Sequence, residues 1–141
     1  MSAQDGVHGY ELWLSDGTAA GTRLVKDVLP GPDPSSPRDL HTAGGLLFFV
    51  ADDGQHGREL WRSDGTEAGT FLVKDVLPGS AAPRYDQMAA AGGRLFFLAC
   101  PDPQPCVLWR SDGSPDGTLP LPADVRLAPG SLSPVGPDLL F

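Results

Sequence analysis

The segment ELWLSDGTAAGT at residues 11–22 recurs as ELWRSDGTEAGT at residues 59–70 and as VLWRSDGSPDGT at residues 107–118. One tryptophan stands in each copy, and successive tryptophans are 48 residues apart: Trp13, Trp61 and Trp109. A repeated unit of this length is typical of an array of small modules, because one such module cannot bury its apolar face alone. The spacing therefore predicts architectural roles for most of the recurring Trp, Asp and Gly residues.

The similarity extends beyond these segments. AGGLLFFVADDG at residues 43–54 matches AGGRLFFLAC at residues 91–100, and LVKDVLPG occurs twice, at residues 24–31 and 72–79. These matches predict one repeat domain over residues 1–141, with units at about 5–52, 53–100 and 101–141.

Each unit has the pattern of short strands joined by tight turns. The apolar runs are four to six residues long, contain Val, Phe, Leu and Trp, and are bounded by Gly, Asp and Pro. Gly44-Gly45 and Gly92-Gly93 suit two-residue hairpins, and Asp64-Gly65 suits a turn in which the carboxylate accepts a backbone N–H. We expect an all-β fold, a β-propeller-like array of about three antiparallel four-stranded blades with the tryptophans wedged between sheets.

The third unit is degenerate and truncated. Pro120 and Pro122 stand where the LVKDV strand is expected, and proline cannot donate to a strand ladder, so that strand is predicted at an edge or broken. The chain starts on the ELW hairpin with no preceding LFF strand, and GPDLLF at 136–141 aligns with GGRLFF at 92–97. We therefore predict an incomplete, open propeller: the chain is a fragment of a longer array, or several chains associate, or one sheet edge stays open and could self-associate.

Charge and hydropathy exclude several classes of partner. The formal net charge is −8 and no basic stripe is present, which argues against nucleic acid and against an anionic membrane surface. No apolar run approaches the length of about 18–20 residues that a membrane-spanning helix needs, so membrane insertion is not expected. MSAQDGVHGYELW at residues 1–13 lacks the pattern of a signal peptide, so none is expected in this chain.

The pattern ELWxSDGTxAGT followed by LVKDV resembles the bacterial ELWxxDGT repeat proteins over nearly the whole chain. The third unit departs from the pattern at Val107, Ser114 and Asp116. The resemblance implies a β-propeller-like protein that is secreted or attached to the cell surface, and it implies no general activity and no cofactor.

Several side chains of the repeat could be mistaken for a catalytic set. Ser63, Asp64 and His56 suggest a nucleophile, an acid and a base, but Ser15, Asp16 and His8 occupy the same positions one unit earlier. Because a catalytic site is normally unique, the duplication favours turn capping, and no catalytic residue is predicted.

Asp52, Asp53 and Glu59 lie close together in one predicted hairpin, and Asp5 and Glu11 occupy matching positions in the first unit. Oxygen ligands about a glycine turn could hold calcium, but the alternating Asp pattern of a dedicated calcium loop is absent. We therefore predict no metal and no cofactor, with calcium as the less favoured alternative. Glu11 and Glu59 are expected to bond to a neighbouring backbone or to a basic residue.

Cys100 and Cys106 bracket the segment CPDPQPC, which replaces a glycine-containing hairpin turn of the preceding unit. They would face each other across the hairpin at a separation that a disulfide can span, and a disulfide suits an oxidising compartment. Two reduced thiols or a soft-metal pair are the alternatives.

The loops after each Pro-Gly diverge most between units, and a rigid scaffold with variable loops can present a binding surface. The expected contacts there are Arg38, His41, Arg84 and Tyr85. The sequence thus predicts a non-enzymatic structural or adhesive module outside a bacterial cell, with a protein or a carbohydrate as partner. The alternative is a fragment of a propeller hydrolase or lyase that acts on glycans.

Overall fold

The computed structural model describes residues 1–76, 78, 84–101, 105–122, 132–135 and 138–140. These residues contain strands and turns and no helix, which confirms the all-β prediction. The strands form four antiparallel sheets in chain order. The first sheet contains β1 (Ser2–Ala3), β2 (Glu11–Leu14) and β3 (Arg23–Lys26), and the second contains β4 (Arg38–Ala43), β5 (Leu46–Asp52), β6 (Arg58–Ser63) and β7 (Phe71–Lys74). The third contains β8 (Arg84–Ala91), β9 (Arg94–Cys100), β10 (Val107–Ser111) and β11 (Leu119–Pro120), and the fourth contains β12 (Ser133–Val135) and β13 (Asp138–Leu140).

The second and third sheets are four-stranded meanders, as the sequence predicts, with each strand bonded to the next along the chain. Gly44 and Gly45 join β4 to β5 with φ angles of 58° and 80°, and Gly92 and Gly93 join β8 to β9 with 56° and 73°. Glycine adopts positive φ without steric cost, so these pairs permit the two-residue hairpin. The boundaries of the sheets differ from those of the predicted units. Unit 53–100 combines the last two strands of the second sheet with the first two strands of the third.

Strand β5 is buried on both faces. Phe48 and Val50 belong to an apolar cluster shared with the third sheet, whereas Phe49 and Ala51 belong to a cluster shared with the first sheet. Because successive side chains of a strand point to opposite faces, the unbroken apolar run LFFVA fits a sheet that is covered on both sides.

Two tryptophans lie in the clusters between sheets, as predicted. Trp61 is 6% exposed and packs in the cluster that contains Leu12 and Val25 of the first sheet. Trp109 packs against the cluster of the second and third sheets, with its ring stacked on Phe97 at a centroid distance of 6.4 Å. The indoles thus fill the gaps between neighbouring sheets.

The third sheet ends on a short edge strand. Strand β11 covers only Leu119 and Pro120, and it pairs with β10 at the outer edge. The last strand of the third unit therefore lies at a sheet edge, where proline is tolerated.

The first and fourth sheets are partial versions of the same meander. Ser2 and Ala3 pair with Leu12 and Glu11 in the register in which Val50 and Ala51 pair with Leu60 and Glu59. No LFF sequence precedes the ELW hairpin, but β1 occupies two positions of that strand. In the fourth sheet, Val135 of β12 pairs with Asp138 of β13, as Ala91 of β8 pairs with Arg94 of β9.

The sheets approach one another most extensively through their first strands. Strand β4 contacts β8 and β9, and β8 contacts β12. At the ends of the hairpins, a β-carbon on Gly44 would lie 2.5 Å from the carbonyl oxygen of Gly93. No helix within the described segments is long and apolar enough to cross a membrane.

Candidate functional site

The connections between strands lie at two opposite ends of the sheets. One end carries the glycine hairpins and the Asp-Gly turns that follow β2, β6 and β10. The other end carries residues 27–37, which link the first sheet to the second, the turn at 53–57, and the paired Cys100 and Cys106. We call this second end the linker rim. It contains the most variable loops and the starts of β4 and β8, so it is the candidate functional surface.

Glu11 organises the link from the first sheet to the second. Its side chain is fully buried, and its carboxylate accepts hydrogen bonds from the Val28 N–H at 3.0 Å, the Ser35 N–H at 2.8 Å and the Ser35 hydroxyl at 2.6 Å. Hydrogen bonds to a charged acceptor are stronger than neutral ones. Glu11 therefore ties both ends of the linker to the central strand β2, in the structural role expected from the sequence.

Glu59 has the equivalent position in the second sheet but a different hydroxyl partner. It accepts the Val76 N–H at 3.1 Å and a short hydrogen bond from the Tyr85 hydroxyl. Burial, together with the negative charge of Glu59, raises the pKa of Tyr85 far above its usual range, so the phenol stays protonated and donates. Tyr85 is only 7% exposed. Its prediction as a loop contact for a partner is corrected: it is a buried structural donor.

Two histidines, in the equivalent turns before β2 and β6, form matched pairs with aspartates. His8 Nδ1 lies 2.7 Å from Asp5 Oδ2, and His56 Nδ1 lies 2.7 Å from Asp53 Oδ2. The hydrogen bond to the carboxylate raises the pKa of each histidine. Backbone N–H groups of His8 and Val7 lower the pKa of Asp5 to about 2.

At Asp53, partial burial opposes ionisation, but the hydrogen bonds from His56 and Gln55 outweigh it and lower the pKa. The resulting charge pair has a defined pH window. Its contribution to stability is present above the ordinary Asp pKa of 3.8 and is lost as the pH falls through the lowered value. It is also present below the ordinary His pKa of 6.5 and is lost as the pH rises through the raised value.

We expect Asp53→Asn to lower the pKa of His56, because the substitution removes the carboxylate that stabilises the imidazolium. An NMR titration of the histidine ring protons measures this pKa, and His8, which keeps Asp5, is the internal control. An unchanged His56 pKa in the variant would show that the pair does not form in solution.

The Asp-Gly turns are networks of short hydrogen bonds that recur in all three copies. In the second sheet, Asp64 Oδ1 accepts the Thr66 N–H at 2.9 Å and the Thr66 hydroxyl at 2.6 Å, while the hydroxyls of Ser63 and Thr70 lie 2.7 Å apart. His56 bonds to Asp53, not to Ser63 or Asp64. The structure thus does not bring Ser63, Asp64 and His56 together as a nucleophile, an acid and a base. Their hydrogen bonds are those of turn capping.

We expect Gly69→Ala to disrupt this turn, because the new β-carbon would lie 2.1 Å from Asp64 Oδ1. The Asp64 side chain would have to move and break its hydrogen bonds to Thr66. We expect the free energy of unfolding, measured in urea, to fall by about 2 kcal/mol. In an Asp64→Ala background the clash is absent, so Gly69→Ala should then cost little. Additive losses in this double-mutant cycle would contradict the assignment.

The acidic residues of the hairpins do not gather around a common point. Glu59 is engaged inside the protein, Asp53 binds His56, and Asp52 accepts the Gly54 N–H at 2.8 Å. Over the described residues, no group of three or more His, Cys, Asp or Glu side chains could hold a metal ion. The calcium alternative therefore gains no support from this geometry.

Cys100 and Cys106 form a disulfide, with their Cα atoms 4.0 Å apart. They continue the register in which Val107 pairs with Ala99, so the bond spans the two strands of the hairpin. In the second sheet the same two positions hold Asp52 and Arg58, which pair across β5 and β6. The covalent link joins β9 to β10 at the linker rim.

The other predicted contacts occupy the first strands. Arg38 and Arg84 are exposed at the starts of β4 and β8, and His41 is half-buried further along β4. Arg38 Nε lies 3.5 Å from Asp39 Oδ2 at the surface. Both strands bulge at equivalent positions, where Asp39 and Gln87 have φ angles of 53° and 46°. Such bulges change the direction in which neighbouring side chains point.

Two side-chain interactions were not predicted from the sequence. Ser35, the main hydroxyl donor to Glu11, lies in a variable loop and has no repeated counterpart. The Arg62 guanidinium lies 4.3 Å from the centre of the Phe71 ring, and the pairing of these residues across β6 and β7 would have indicated this contact.

No protein-family model, curated protein or solved structure matches this chain.

Proposed function

We propose that this chain is a propeller-type repeat segment that serves as a non-enzymatic structural or adhesive module on or outside a bacterial cell. The linker rim is its binding surface, and its partner is a protein or a carbohydrate. The observation that carries the proposal is the packing between sheets: apolar clusters join neighbouring sheets face to face, and the first strands β4, β8 and β12 come together. Blades that converge on their first strands are what a propeller requires.

Polar contacts between sheets support the same arrangement. Arg23 of the first sheet donates to the Gly65 carbonyl in the turn of the second sheet at 2.8 Å. Lys74 of the second sheet donates to the Thr118 carbonyl at 3.0 Å and the Pro115 carbonyl at 3.2 Å, in the turn of the third. Each sheet thus holds the Asp-Gly turn of the next, which favours one repeated stacking geometry.

The chemistry of the described side chains favours binding over catalysis. The Ser, Asp and Thr side chains of the turns bond to one another, and the two buried glutamates bond to the linkers. The disulfide supports a location in an oxidising compartment, because such bonds persist mainly outside the cytosol. The resemblance to ELWxxDGT repeat proteins favours the same location.

The test uses the intact chain and a panel of immobilised polysaccharides, with alginate and polygalacturonate as acidic probes and dextran as a neutral one. Arg38 and Arg84 are exposed at the linker rim, and their planar guanidinium groups can donate to the hydroxyl or carboxylate oxygens of a bound probe. We expect Arg38→Ala with Arg84→Ala to weaken binding at least tenfold. Arg94→Ala is the matched control, since Arg94 is exposed at the opposite end of the sheets.

The same samples are assayed for new reducing ends. Release of reducing ends would overturn the non-enzymatic proposal in favour of the hydrolase or lyase alternative. Binding that Arg94→Ala weakens as much as the double variant would overturn the assignment of the linker rim. Failure to bind every probe, together with failure to bind purified bacterial surface proteins, would overturn the adhesive role.

A further inference from the structure

We propose that the linker rim is sensitive to pH, because the imidazolium of His56 holds the turn at residues 53–57 closed against the linker at residues 27–37 and its deprotonation loosens that turn. His8 acts in the same way from the equivalent turn at residues 5–9. This inference rests on the proposed function, since it adds regulation to the surface that we assign to binding. It is carried by the bonds within each turn, the carboxylates near each histidine, and the contacts between the turns and the linker.

Each turn is closed by bonds to a single carboxylate. Asp53 Oδ1 accepts the N–H of Gln55 at 2.9 Å and that of His56 at 2.8 Å, and Asp53 Oδ2 lies 2.7 Å from His56 Nδ1. Asp5 accepts the equivalent backbone bonds and lies 2.7 Å from His8 Nδ1. An imidazolium donates from Nδ1 as a charged group, and such a bond is stronger than the bond that a neutral ring can make. Deprotonation therefore weakens the closure of both turns.

Carboxylates of three different elements act on His56: Asp53 in its own turn, Glu59 on β6 and Asp75 directly after β7. The hydrogen bond to Asp53 contributes most to the raised pKa of His56, and the negative charges of Asp75 and Glu59 raise it further. Tyr85 of β8 bonds to Glu59 and stays neutral. At the base of the turn, Asp52 and Arg58 stand opposite each other. His56 is thus the titrating cation of a group of carboxylates.

The first unit repeats this arrangement around His8. The hydrogen bond to Asp5 and the charges of Asp27 and Glu11 favour its imidazolium. Asp27 and Asp75 occupy equivalent positions of the repeat, and each has its Oδ1 atom buried without a hydrogen-bond partner among the described residues. A buried carboxylate oxygen of this kind is stabilised by a nearby positive charge. Loss of the imidazolium therefore also destabilises the ends of the linkers.

Both histidine turns contact the linker at residues 27–37. A β-carbon on Gly54 would lie 2.9 Å from Leu29 Cδ1, and a β-carbon on Gly9 would lie 2.8 Å from the carbonyl oxygen of Asp33. The linker therefore lies between the two turns, and a change in either turn alters its support.

Backbone hydrogen bonds join the same elements close to the candidate binding contacts. The Asp52 N–H donates to the Ser35 carbonyl at 3.0 Å, and the Ser36 N–H donates to the Tyr10 carbonyl at 3.1 Å. Strand β4 begins just beyond these bonds, at Arg38. Loosening of the turns therefore reaches the start of the strand that carries a predicted contact for a partner.

The open turn is favoured at high pH. The stabilisation that the imidazolium of His56 provides is present below the ordinary His pKa of 6.5 and is lost as the pH rises through the raised value. Burial opposes ionisation of Asp53, but the hydrogen bonds from His56 and Gln55 lower its pKa, so Asp53 stays charged over this range. The carboxylates then face one another without the imidazolium, and their repulsion opens the turn.

Amide relaxation of the nitrogen-labelled intact chain tests the inference at about pH 5.5 and about pH 8.5, on either side of the ordinary His range. We expect the order parameters of residues 5–9 and 53–57 to fall at the higher pH, from about 0.85 towards the value of below about 0.6 that marks a flexible backbone. The turn at Asp64-Gly65, whose bonds involve no histidine, is the internal control and should keep its order.

Substitution of both histidines assigns the effect. In His8→Gln with His56→Gln, we expect low order in the two turns at both pH values. His41→Gln is the matched control, because His41 is half-buried on β4 and its loss should leave the dependence on pH unchanged. High order of the wild-type turns at both pH values would overturn the proposal, as would a dependence on pH that survives the double substitution.

Asp75→Asn tests the contribution of the carboxylate after β7. We expect it to lower the pKa of His56 and to shift the loss of order to lower pH, because one charge that favours the imidazolium is gone. Asp116→Asn, exposed in the turn of the third sheet, is the control and should change neither. An unchanged His56 pKa in Asp75→Asn would overturn the role of Asp75.

These readouts separate failure of this inference from failure of the proposed function, because they need no ligand. Absence of binding to alginate, polygalacturonate and dextran contradicts the binding role alone. Where alginate binds, we expect weaker binding at the higher pH, since Arg38 loses its fixed position while the carboxylates of alginate stay ionised at both values. Equal binding at both values would overturn the control of binding by the turns.

Discussion

Trp61→Ala is expected to lower the free energy of unfolding by about 4 kcal/mol, the range typical of a buried tryptophan truncated to alanine. Trp61 is 6% exposed and fills the gap between the first and second sheets, where its ring lies 6.4 Å from that of Phe49. The truncation leaves a cavity that neither sheet can close alone. Urea unfolding followed by circular dichroism measures the loss.

Leu119→Ala is the matched control, because Leu119 is 40% exposed at the edge of the third sheet. This substitution should lower the free energy of unfolding by less than about 1 kcal/mol. Trp61→Phe keeps part of the aromatic surface, so its loss in free energy of unfolding should lie between those of the other two variants. It provides a measurable value if Trp61→Ala does not fold. Equal losses for Trp61→Ala and Leu119→Ala would contradict the wedge role of the indole.

Glu11→Ala is the second substitution with a large expected effect, a loss of about 4 kcal/mol. It leaves the N–H groups of Val28 and Ser35 and the Ser35 hydroxyl buried without their acceptor. Glu11→Gln should also destabilise, because both carboxylate oxygens accept N–H donors and an amide NH₂ must face one of them. Thermal and urea unfolding measure both variants.

Glu67→Ala is the control for Glu11, since Glu67 is exposed beside the Asp-Gly turn of the second sheet. Its loss should stay within about 0.5 kcal/mol. Hydrogen exchange adds a local readout: in Glu11→Gln, the Val28 and Ser35 amides should exchange faster, as expected when the linker opens. Unchanged protection of these amides would show that the carboxylate does not hold the linker.

Much of the fold could be predicted because the determining interactions are local and repeated. Gly44-Gly45 and Asp64-Gly65 specify their turns through their own φ angles and side-chain bonds, and the period of 48 residues shows that the turns recur. The unbroken apolar run of β5 fits a strand that is covered on both faces, and apolar clusters lie on its two sides.

The details of the linker rim could not be predicted because they depend on contacts between residues distant in sequence. Tyr85 has the amphipathic character of a surface contact, yet its hydroxyl lies inside, bonded to Glu59. In the first sheet the equivalent bond comes from Ser35, which is a different position in the repeat. Pro83 stands at the position equivalent to Ser35 and has neither a hydroxyl nor an N–H, so a different residue must supply the donor.

The stacking of sheets through their first strands is tested most directly by contacts between Gly44 and Gly93 in nuclear Overhauser spectra of the labelled chain. The two hairpins touch closely enough that a β-carbon on Gly44 would overlap the Gly93 carbonyl oxygen. We predict strong Overhauser contacts between the Gly44 Hα protons and the backbone of residues 92–93. Spectra in which β4 and β8 each show their intrasheet contacts but none to each other would contradict the account.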